Sequence, residues 1–311
     1  METLLGLPEL DRTRPRCATI GAFDGLHRGH QAVLRRLVRE ARRAKARATA
    51  VTFDPHPDAV LRGALPPRLG DPEQLIDGMA TLGVDELVVQ PFDEAFSRLA
   101  PDPFLRLLGA GAELRAFLMT PETAFGRRRS GNATTVAAIG ERLGFRLVLV
   151  QPLLLGGRPV SSSRVREAIS GGRLSDARRL LGRSPSVTGR VVEGAGRGRD
   201  LGFPTANLAF DAPVAMPPDG IYAVRVAWRD GATSRWRQGY GVASLGKRPT
   251  FGPGERVLEV HVFDLDESLY GATMRVAFVR RQRGERRFTT PAALVRQMER
   301  DADRARVIVG I

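Results

Sequence analysis

The sequence predicts an α/β domain built on a parallel sheet, followed by an antiparallel, barrel-like β domain that ends in one helix. Three observations carry this. Apolar runs of strand length alternate with helical periodicity through about residue 155. From Val187 the runs are β-type and separated by glycine and proline. A helical period returns only after Pro291.

Taken in order, Cys17-Ala-Thr-Ile20 is a short apolar strand. A glycine-bearing turn follows, Gly21-Ala-Phe-Asp-Gly-Leu-His-Arg-Gly-His30, and from Gln31 the residues Val33, Leu34, Leu37, Val38 and Ala41 recur at helical spacing. Thr49-Ala-Val-Thr-Phe53 is a second strand, closed by Asp54-Pro-His-Pro57. Residues 75–82 read as helix and Glu86-Leu-Val-Val-Gln90 as strand up to Pro91. Another helix starts near Asp102, with Pro103 tolerated in its first turn. Val136, Ala137, Ile139 and Leu143 mark a helix before the strand Arg146-Leu-Val-Leu-Val150. Such alternation is what a parallel sheet with crossover helices requires. The later runs are 187–192, 221–228, 238–245, 257–265 and 274–279, and the closing helix is 292–307. The joint falls near Arg183-Ser-Pro185, dividing the chain into residues 1–183 and 184–311.

Composition bounds the class. A chain of 311 residues exceeds what one core usually serves, so two domains are expected, and 42% hydrophobic residues exclude wholesale disorder. The single cysteine, Cys17, allows neither a disulfide framework nor a cysteine-based zinc site and fits a reducing compartment. No apolar run approaches the ~20 residues of a membrane span. Met1-Glu-Thr-Leu-Leu-Gly6 lacks a basic region followed by a long apolar stretch, so the expectation is a cytoplasmic protein with no membrane partner. The net charge of +14 would attract polyanions, yet basic residues are spread along the chain and aromatics are 6%, few for a base-stacking platform. No specific nucleic-acid partner is expected, and the oligomeric state stays open. The arginines of 35–47 read as the solvated face of a helix. Gly126-Arg-Arg-Arg-Ser-Gly131 instead combines flexibility with guanidinium forks that match phosphate.

Two motifs carry chemistry. In the first, Gly21, Gly25 and Gly29 permit close backbone approach, and His27 and His30, three apart at a helix start, share a face beside unpaired N–H groups. That is a phosphate site by geometry. The second is Gly194-Ala-Gly-Arg-Gly-Arg-Asp-Leu-Gly-Phe-Pro-Thr-Ala-Asn207, which suits phosphate, with Thr205 and Asn207 on one side of an extended segment as oxygen donors for Mg²⁺. A turn-rich β connection would contain the same glycines and proline. Downstream, Leu258-Glu-Val-His-Val-Phe-Asp264 alternates, placing Glu259, His261 and Phe263 on one face. Glu259 is a general base or the solvated side of a strand.

These residues bear a resemblance to the bacterial bifunctional riboflavin kinase/FAD synthetase family over nearly the full length. The first half matches in Gly21 to His30, Thr52-Phe-Asp-Pro-His-Pro57, Pro91-Phe-Asp93 with Phe96, and Ser161-Ser-Ser-Arg-Val-Arg166. The second matches in Gly202-Phe-Pro-Thr-Ala-Asn207, Gly220-Ile-Tyr222, Gly246-Lys-Arg-Pro-Thr250, Leu258-Glu259, Leu269-Tyr-Gly271 and Arg283-Gly-Glu285 with Phe288. The resemblance implies a nucleotidylyltransferase-type FMN adenylyltransferase domain followed by a riboflavin kinase barrel. It implies ATP, riboflavin and FMN as substrates, FAD as product, and Mg²⁺ with the ATP. His27 and His30 would stabilise charge on the ATP phosphates, lined by Gly21, Phe23, Asp24, Gly25 and Gly29. Ser162, Ser163, Arg164 and Arg166 would hold phosphate from the other side, a stretch that by itself reads as a helix N-cap and first turn. In the kinase half Glu259 would be the base, Thr205 and Asn207 the metal side, and Gly194, Arg199, Gly202 and Pro204 the nucleotide contacts. Phe125 and Arg127, and in the second half Arg283 and Glu285, would face the flavin.

The chain departs from the family pattern at Ala22, where Asn is usual, and at Glu122-Thr-Ala124, where Asp, Phe and Arg are usual. Asn132 stands for Asp and Ser244 for Asn. Three readings follow: a bifunctional enzyme, a riboflavin kinase with a weakened first domain, and a basic polyanion-binding protein that retains the fold.

Overall fold

The computed structural model describes residues 1–109, 113–194, 198, 201–247 and 256–311. Two compact units emerge. One comprises Met1–Pro66 with Asp71–Ser162, the other Pro67–Gly70 with Ser163–Ile311.

The first unit is a six-stranded, wholly parallel sheet in the order β1-β4-β3-β2-β5-β6. Its strands are β1 (Glu2–Leu5), β2 (Arg16–Ile20), β3 (Arg47–Asp54), β4 (Glu86–Pro91), β5 (Leu114–Met119) and β6 (Arg146–Leu149). Its helices are α1 (Arg28–Arg43), α2 (Pro57–Arg62), α3 (Pro72–Thr81), α4 (Glu94–Ser97), α5 (Pro101–Gly109) and α6 (Ala133–Leu143). Because both faces are covered, the central strands are buried along nearly their whole length rather than on alternate residues. Leu34, Leu37, Val38 and Ala41 of α1 with Met79 of α3 fill one face. Phe104, Leu105 and Leu108 of α5 with Val136 and Ile139 of α6 fill the other. β1 and β5 were not among the expected strands, and they complete the sheet on either side of β2, β3 and β4.

Charge is buried at the amino-terminal edge of this sheet. Arg16 and Glu86 are fully buried, with Arg16 Nε 3.8 Å from Glu86 Oε2. Thr49 Oγ1 donates to Glu86 Oε2 at 2.6 Å, and Arg47 Nε donates to Glu86 Oε1 at 3.1 Å. Arg16 also donates to the carbonyls of Leu108 (2.8 Å) and Asp11, and burial lowers its pKa against the pull of Glu86.

A hairpin, β7 (Leu154–Leu155) with β8 (Arg158–Pro159), precedes α7 (Ser162–Ser170) and α8 (Leu174–Leu181). In the second unit a closed antiparallel barrel runs β10-β13-β12-β11-β14-β9. Its strands are β9 (Ser186–Val192), β10 (Ala206–Ala209), β11 (Gly220–Arg229), β12 (Arg237–Lys247), β13 (Arg256–Val262) and β14 (Thr273–Arg283). Tyr222, Val224, Leu245, Leu258, Val260, Met274, Val276 and Phe278 point inward. The last helix, α9 (Pro291–Val309), lays Ala305 and Val309 against Ala223 and Phe263 on the barrel's outer face. The compact units part at Ser162/Ser163, whereas the sequence places the joint at 183/184. The difference comes from α8, whose Leu174 belongs to the barrel core. Among the described residues no helix is long and apolar enough to cross a membrane.

Candidate active sites

In an open parallel sheet, ligands bind at the carboxyl ends of the strands where the chain order reverses. Here it reverses about β2, with β3 and β4 on one side and β5 and β6 on the other. Four expected motifs hang from those ends: Gly21 to His30 after β2, Asp54-Pro-His-Pro57 at the end of β3, Pro91-Phe-Asp93 at the end of β4, and the 120–126 stretch after β5.

The turn after β2 is tightly determined. Gly21 N donates to the Val51 carbonyl at 3.0 Å, and Thr52 Oγ1 donates to the Ala22 carbonyl at 3.2 Å. Phe23 (φ 48°), Gly25 (φ 71°) and Leu26 (φ 42°) lie in the left-handed region, two of them without glycine's freedom. Buried Phe23 and Leu26 side chains hold this conformation, a form of strain that clusters at ligand sites. His27 is the N-cap of α1, and its Nδ1 accepts from His30 N at 3.2 Å. As an acceptor, that nitrogen carries no proton. The two imidazoles stack with centroids 3.6 Å apart, and His30 meets the edge of Phe23 at 5.3 Å. Burial, reinforced by the neighbouring His27, holds the His30 pKa well below the usual histidine value. His30 Nδ1 is buried and has no hydrogen-bond partner among the described residues. At Gly29 a Cβ would stand 2.8 Å from the Val160 carbonyl and 3.1 Å from the His27 ring. Ser162 Oγ donates to the Asp24 carbonyl at 3.3 Å. The structure thus brings together Gly21, Phe23, Asp24, Gly25, His27, Gly29, His30 and Ser162. Ser163, Arg164 and Arg166 follow in the first turn of α7, and Arg166 Nε donates to the Pro67 carbonyl at 2.8 Å.

On the flavin side, Phe125 is packed between Phe104 (5.3 Å) and Phe117 (5.5 Å) in the core beneath α5 and α6. The exposed arginines 127–129 follow Gly126 (φ 71°), with Arg128 and Arg129 also left-handed at φ 54° and 57°. Thr123 closes the 120–123 turn: its Oγ1 lies 2.8 Å from Thr120 Oγ1, and its N donates to the Thr120 carbonyl at 3.0 Å. Asn132 caps α6, accepting from Thr135 N at 3.0 Å, which Asn does as well as the usual Asp.

In the second unit, strand register assembles a row. Glu259 of β13 pairs with Asn207 of β10 on one side and with Ser244 of β12 on the other, and the row continues through Ile221 to Arg283. Directly paired residues share a face, with Cβ atoms about 5 Å apart. Leu258, Val260, Ala206 and Leu208 point into the core, so Glu259, His261 and Asn207 point out of it, and Thr205 lies immediately before the first residue of β10. Asn207 is buried, and its Oδ1 has no hydrogen-bond partner among the described residues. A hard cation accepts such a neutral oxygen, and Thr205 Oγ1 is a second donor of the same kind, so the pair fits Mg²⁺. A Cβ at Gly194 would collide with the Asn207 amide. Gly202 is left-handed at φ 79°, and the Pro204 carbonyl lies 2.9 Å from His261 Nδ1. Arg199, and Arg248, Pro249 and Thr250 of the family motif, lie outside the described residues.

Arg283, the expected flavin contact, is held by the last helix. Its Nη2 meets Asp301 Oδ2 of α9 at 2.6 Å, and its Nε donates to Asp301 Oδ1 and Oδ2 at 3.1 and 3.0 Å. Gln297 Nε2 adds a bond to Asp301 Oδ1 at 2.9 Å, and Arg283 Nη1 donates to the Gly284 carbonyl at 3.0 Å. Next to it, the Glu285 carboxylate covers Gly246, where a Cβ would collide with it. Neither Asp301 nor Gln297 stands out in the sequence, because an acidic or amide side chain on a terminal helix is ordinary.

A riboflavin kinase family model matches residues 181–309, and an FAD synthetase family model matches residues 10–164. A bifunctional riboflavin kinase/FMN adenylyltransferase of Haemophilus influenzae is 33% identical over 309 residues, spanning 98% of each chain. That of Bacillus subtilis is 32% identical over 292 residues, spanning 92% of this chain and 90% of the relative. A crystal structure from Streptococcus pneumoniae, described as a macrolide-efflux protein, superposes with a TM-score of 0.84 at 28% identity and covers 98% of each chain.

Proposed function

The chain belongs to the bifunctional riboflavin kinase/FMN adenylyltransferase family, and from that premise we propose how its residues divide the two reactions. The enzyme phosphorylates riboflavin to FMN and adenylylates FMN to FAD with release of pyrophosphate, using ATP with Mg²⁺. The observation that carries the residue assignment is the row Asn207–Glu259–Ser244, with Asn207 Oδ1 left without a hydrogen-bond partner among the described residues.

In the kinase half Glu259 takes the proton of the riboflavin 5′-hydroxyl as that oxygen bonds to the γ-phosphorus of ATP and ADP departs. Mg²⁺, when bound, neutralises phosphate charge, and Thr205 and Asn207 would hold it. The Gly194 and Gly202 backbone leaves room for the nucleotide. Glu285 borders the flavin, and Arg283 serves by holding the chain that carries Glu285.

In the adenylyltransferase half an FMN phosphate oxygen bonds to the α-phosphorus of ATP, and the bond to the bridging oxygen of pyrophosphate breaks. FMN arrives ionised, so no protein nucleophile is needed. His27, His30 and the first N–H groups of α1 receive the developing phosphate charge, with His30 acting as a neutral donor. Phe125 and Arg127 are assigned to the flavin side, and Ser163, Arg164 and Arg166 keep the phosphate role that the family pattern implies. The reducing-compartment composition and soluble substrates support a cytoplasmic enzyme whose partners are small molecules.

Incubation with riboflavin, ATP and Mg²⁺, followed by chromatography of the flavins, tests the division. Glu259→Gln should lower FMN formation by about 10²-fold or more while FAD still forms from supplied FMN. His30→Ala should do the converse. Near-normal FMN formation by Glu259→Gln would remove it as base.

A further inference from the structure

The kinase assignment leaves His261 without a role, and the geometry around it is specific. It follows Glu259 by two residues on β13 and points to the same side. Its Nδ1 lies 2.9 Å from the Pro204 carbonyl oxygen. A carbonyl only accepts, so the ring donates and its proton sits on Nδ1. The ring also meets the edge of Phe203, with centroids 5.2 Å apart. Proline has no N–H, so the carbonyl is the only main-chain group by which Pro204 can be hydrogen-bonded.

The Pro204 carbonyl and the Thr205 N–H belong to one rigid peptide plane. Holding the carbonyl therefore sets the plane from which the Thr205 side chain leaves, and through it the entry of Asn207 into β10. The strand ladder begins only at Ala206, paired with Val260, so residues 202–205 receive no help from it. A second tether, Phe203 N to the Gly198 carbonyl at 2.8 Å, fixes the segment one residue upstream.

Resting on the reading of Thr205 and Asn207 as the metal side, we infer that His261 is a positioning residue of the kinase half: its Nδ1–H orients the Pro204–Thr205 peptide so that the Thr205 hydroxyl and Asn207 carbonyl converge on the cation of the nucleotide. It touches neither substrate nor the reacting phosphorus.

The test is a titration of full-length protein with Mn²⁺ and ADP, followed by the electron paramagnetic resonance signal of free Mn²⁺. It is read as the change from the parent chain, because the first half contributes equally to both. His261→Phe keeps the ring against Phe203 but removes the donor, and should weaken the second-half site about tenfold, the effect of one lost hydrogen bond. His261→Asn, which restores a short N–H donor, should recover most of that loss. The concentration of Mg²⁺ needed for half-maximal FMN formation should move in parallel. Thr205→Ala in the same titration separates the two levels of argument. Weakening by Thr205→Ala with none by His261→Phe overturns the positioning role and leaves the metal reading standing. No effect of Thr205→Ala overturns both. Should His261→Phe fail to fold, His261→Leu, which also lacks the donor, replaces it: weakened Mn²⁺ binding by His261→Leu beside parental binding by His261→Asn supports the proposal, and parental binding by His261→Leu overturns it.

Discussion

The Arg283–Asp301 pair fastens the last helix to the barrel at the end of the row that carries Glu259. Its side chains are 13% and 7% exposed, and three N–H···O contacts of 2.6 to 3.1 Å join them. Removing one member of so enclosed a pair leaves the other charged and desolvated, which costs about 3–5 kcal/mol. Asp301→Ala and Arg283→Met should therefore each destabilise the second unit by that amount. The double variant Arg283→Met with Asp301→Leu should lose far less than the sum, because no orphan charge remains. Both tryptophans of the chain, Trp228 and Trp236, lie in this unit, so their fluorescence during urea unfolding reports its transition. Single-variant losses below about 1 kcal/mol, or a double-variant loss equal to the sum, would refute the account of this pair. Riboflavin KM separates fastening from ligand contact. A fastening arginine leaves KM near parental in the restored double variant, whereas a flavin-binding one raises it despite restored stability.

Three further outcomes are expected. Because the folded-state pKa of His30 is depressed, the unfolded chain binds a proton that the native one does not, so stability falls as pH drops through about 6.5, the unfolded value; His30→Asn should flatten that slope in denaturation series monitored by circular dichroism, and an unchanged slope would clear His30. Combining Glu122→Asp, Thr123→Phe and Ala124→Arg should lower the FMN concentration needed for half-maximal FAD synthesis, with a small drop in first-unit melting temperature from loss of the Thr120–Thr123 hydroxyl pair; an unaltered FMN requirement would remove the 122–124 loop from the flavin side. Glu86→Gln should cost the first unit about 3–5 kcal/mol by leaving Arg16 buried without its counter-charge, while FMN formation persists; parental thermal stability would contradict this.

How far the sequence anticipates this molecule depends on the range of each signal. The strand–turn–helix of Cys17 to Ala41 is local, and the structure reproduces it, with the helix starting at Arg28 and His27 as its cap rather than a first-turn residue. β5, Leu-Arg-Ala-Phe-Leu-Met, follows the apolar face of α5 with only Ala110-Gly-Ala-Glu113 between, so Glu113 alone is polar before its start and the two apolar stretches run together. Along β13 the period of two tells which side Glu259 occupies, but not that Asn207 and Ser244 flank it, because register is set by pairing between distant strands. Arg283 and Asp301 show the same limit: each reads as surface charge until α9 folds back on the barrel. His261 was readable as a face-mate of Glu259, and its tautomer only from the Pro204 carbonyl.

The parallel sheet keeps its fastening and its chemistry on opposite edges. Arg16, Arg47, Thr49 and Glu86 lock the amino-terminal ends, while the loops that meet substrates leave from the carboxyl ends. Ala22 and Glu122 to Ala124, where the chain departs from the family pattern it resembles, all fall on the carboxyl edge. An engineer seeking a new adenylyl acceptor can confine a library to residues 122–124 and the loop after β4, leaving Phe125 in its place between Phe104 and Phe117.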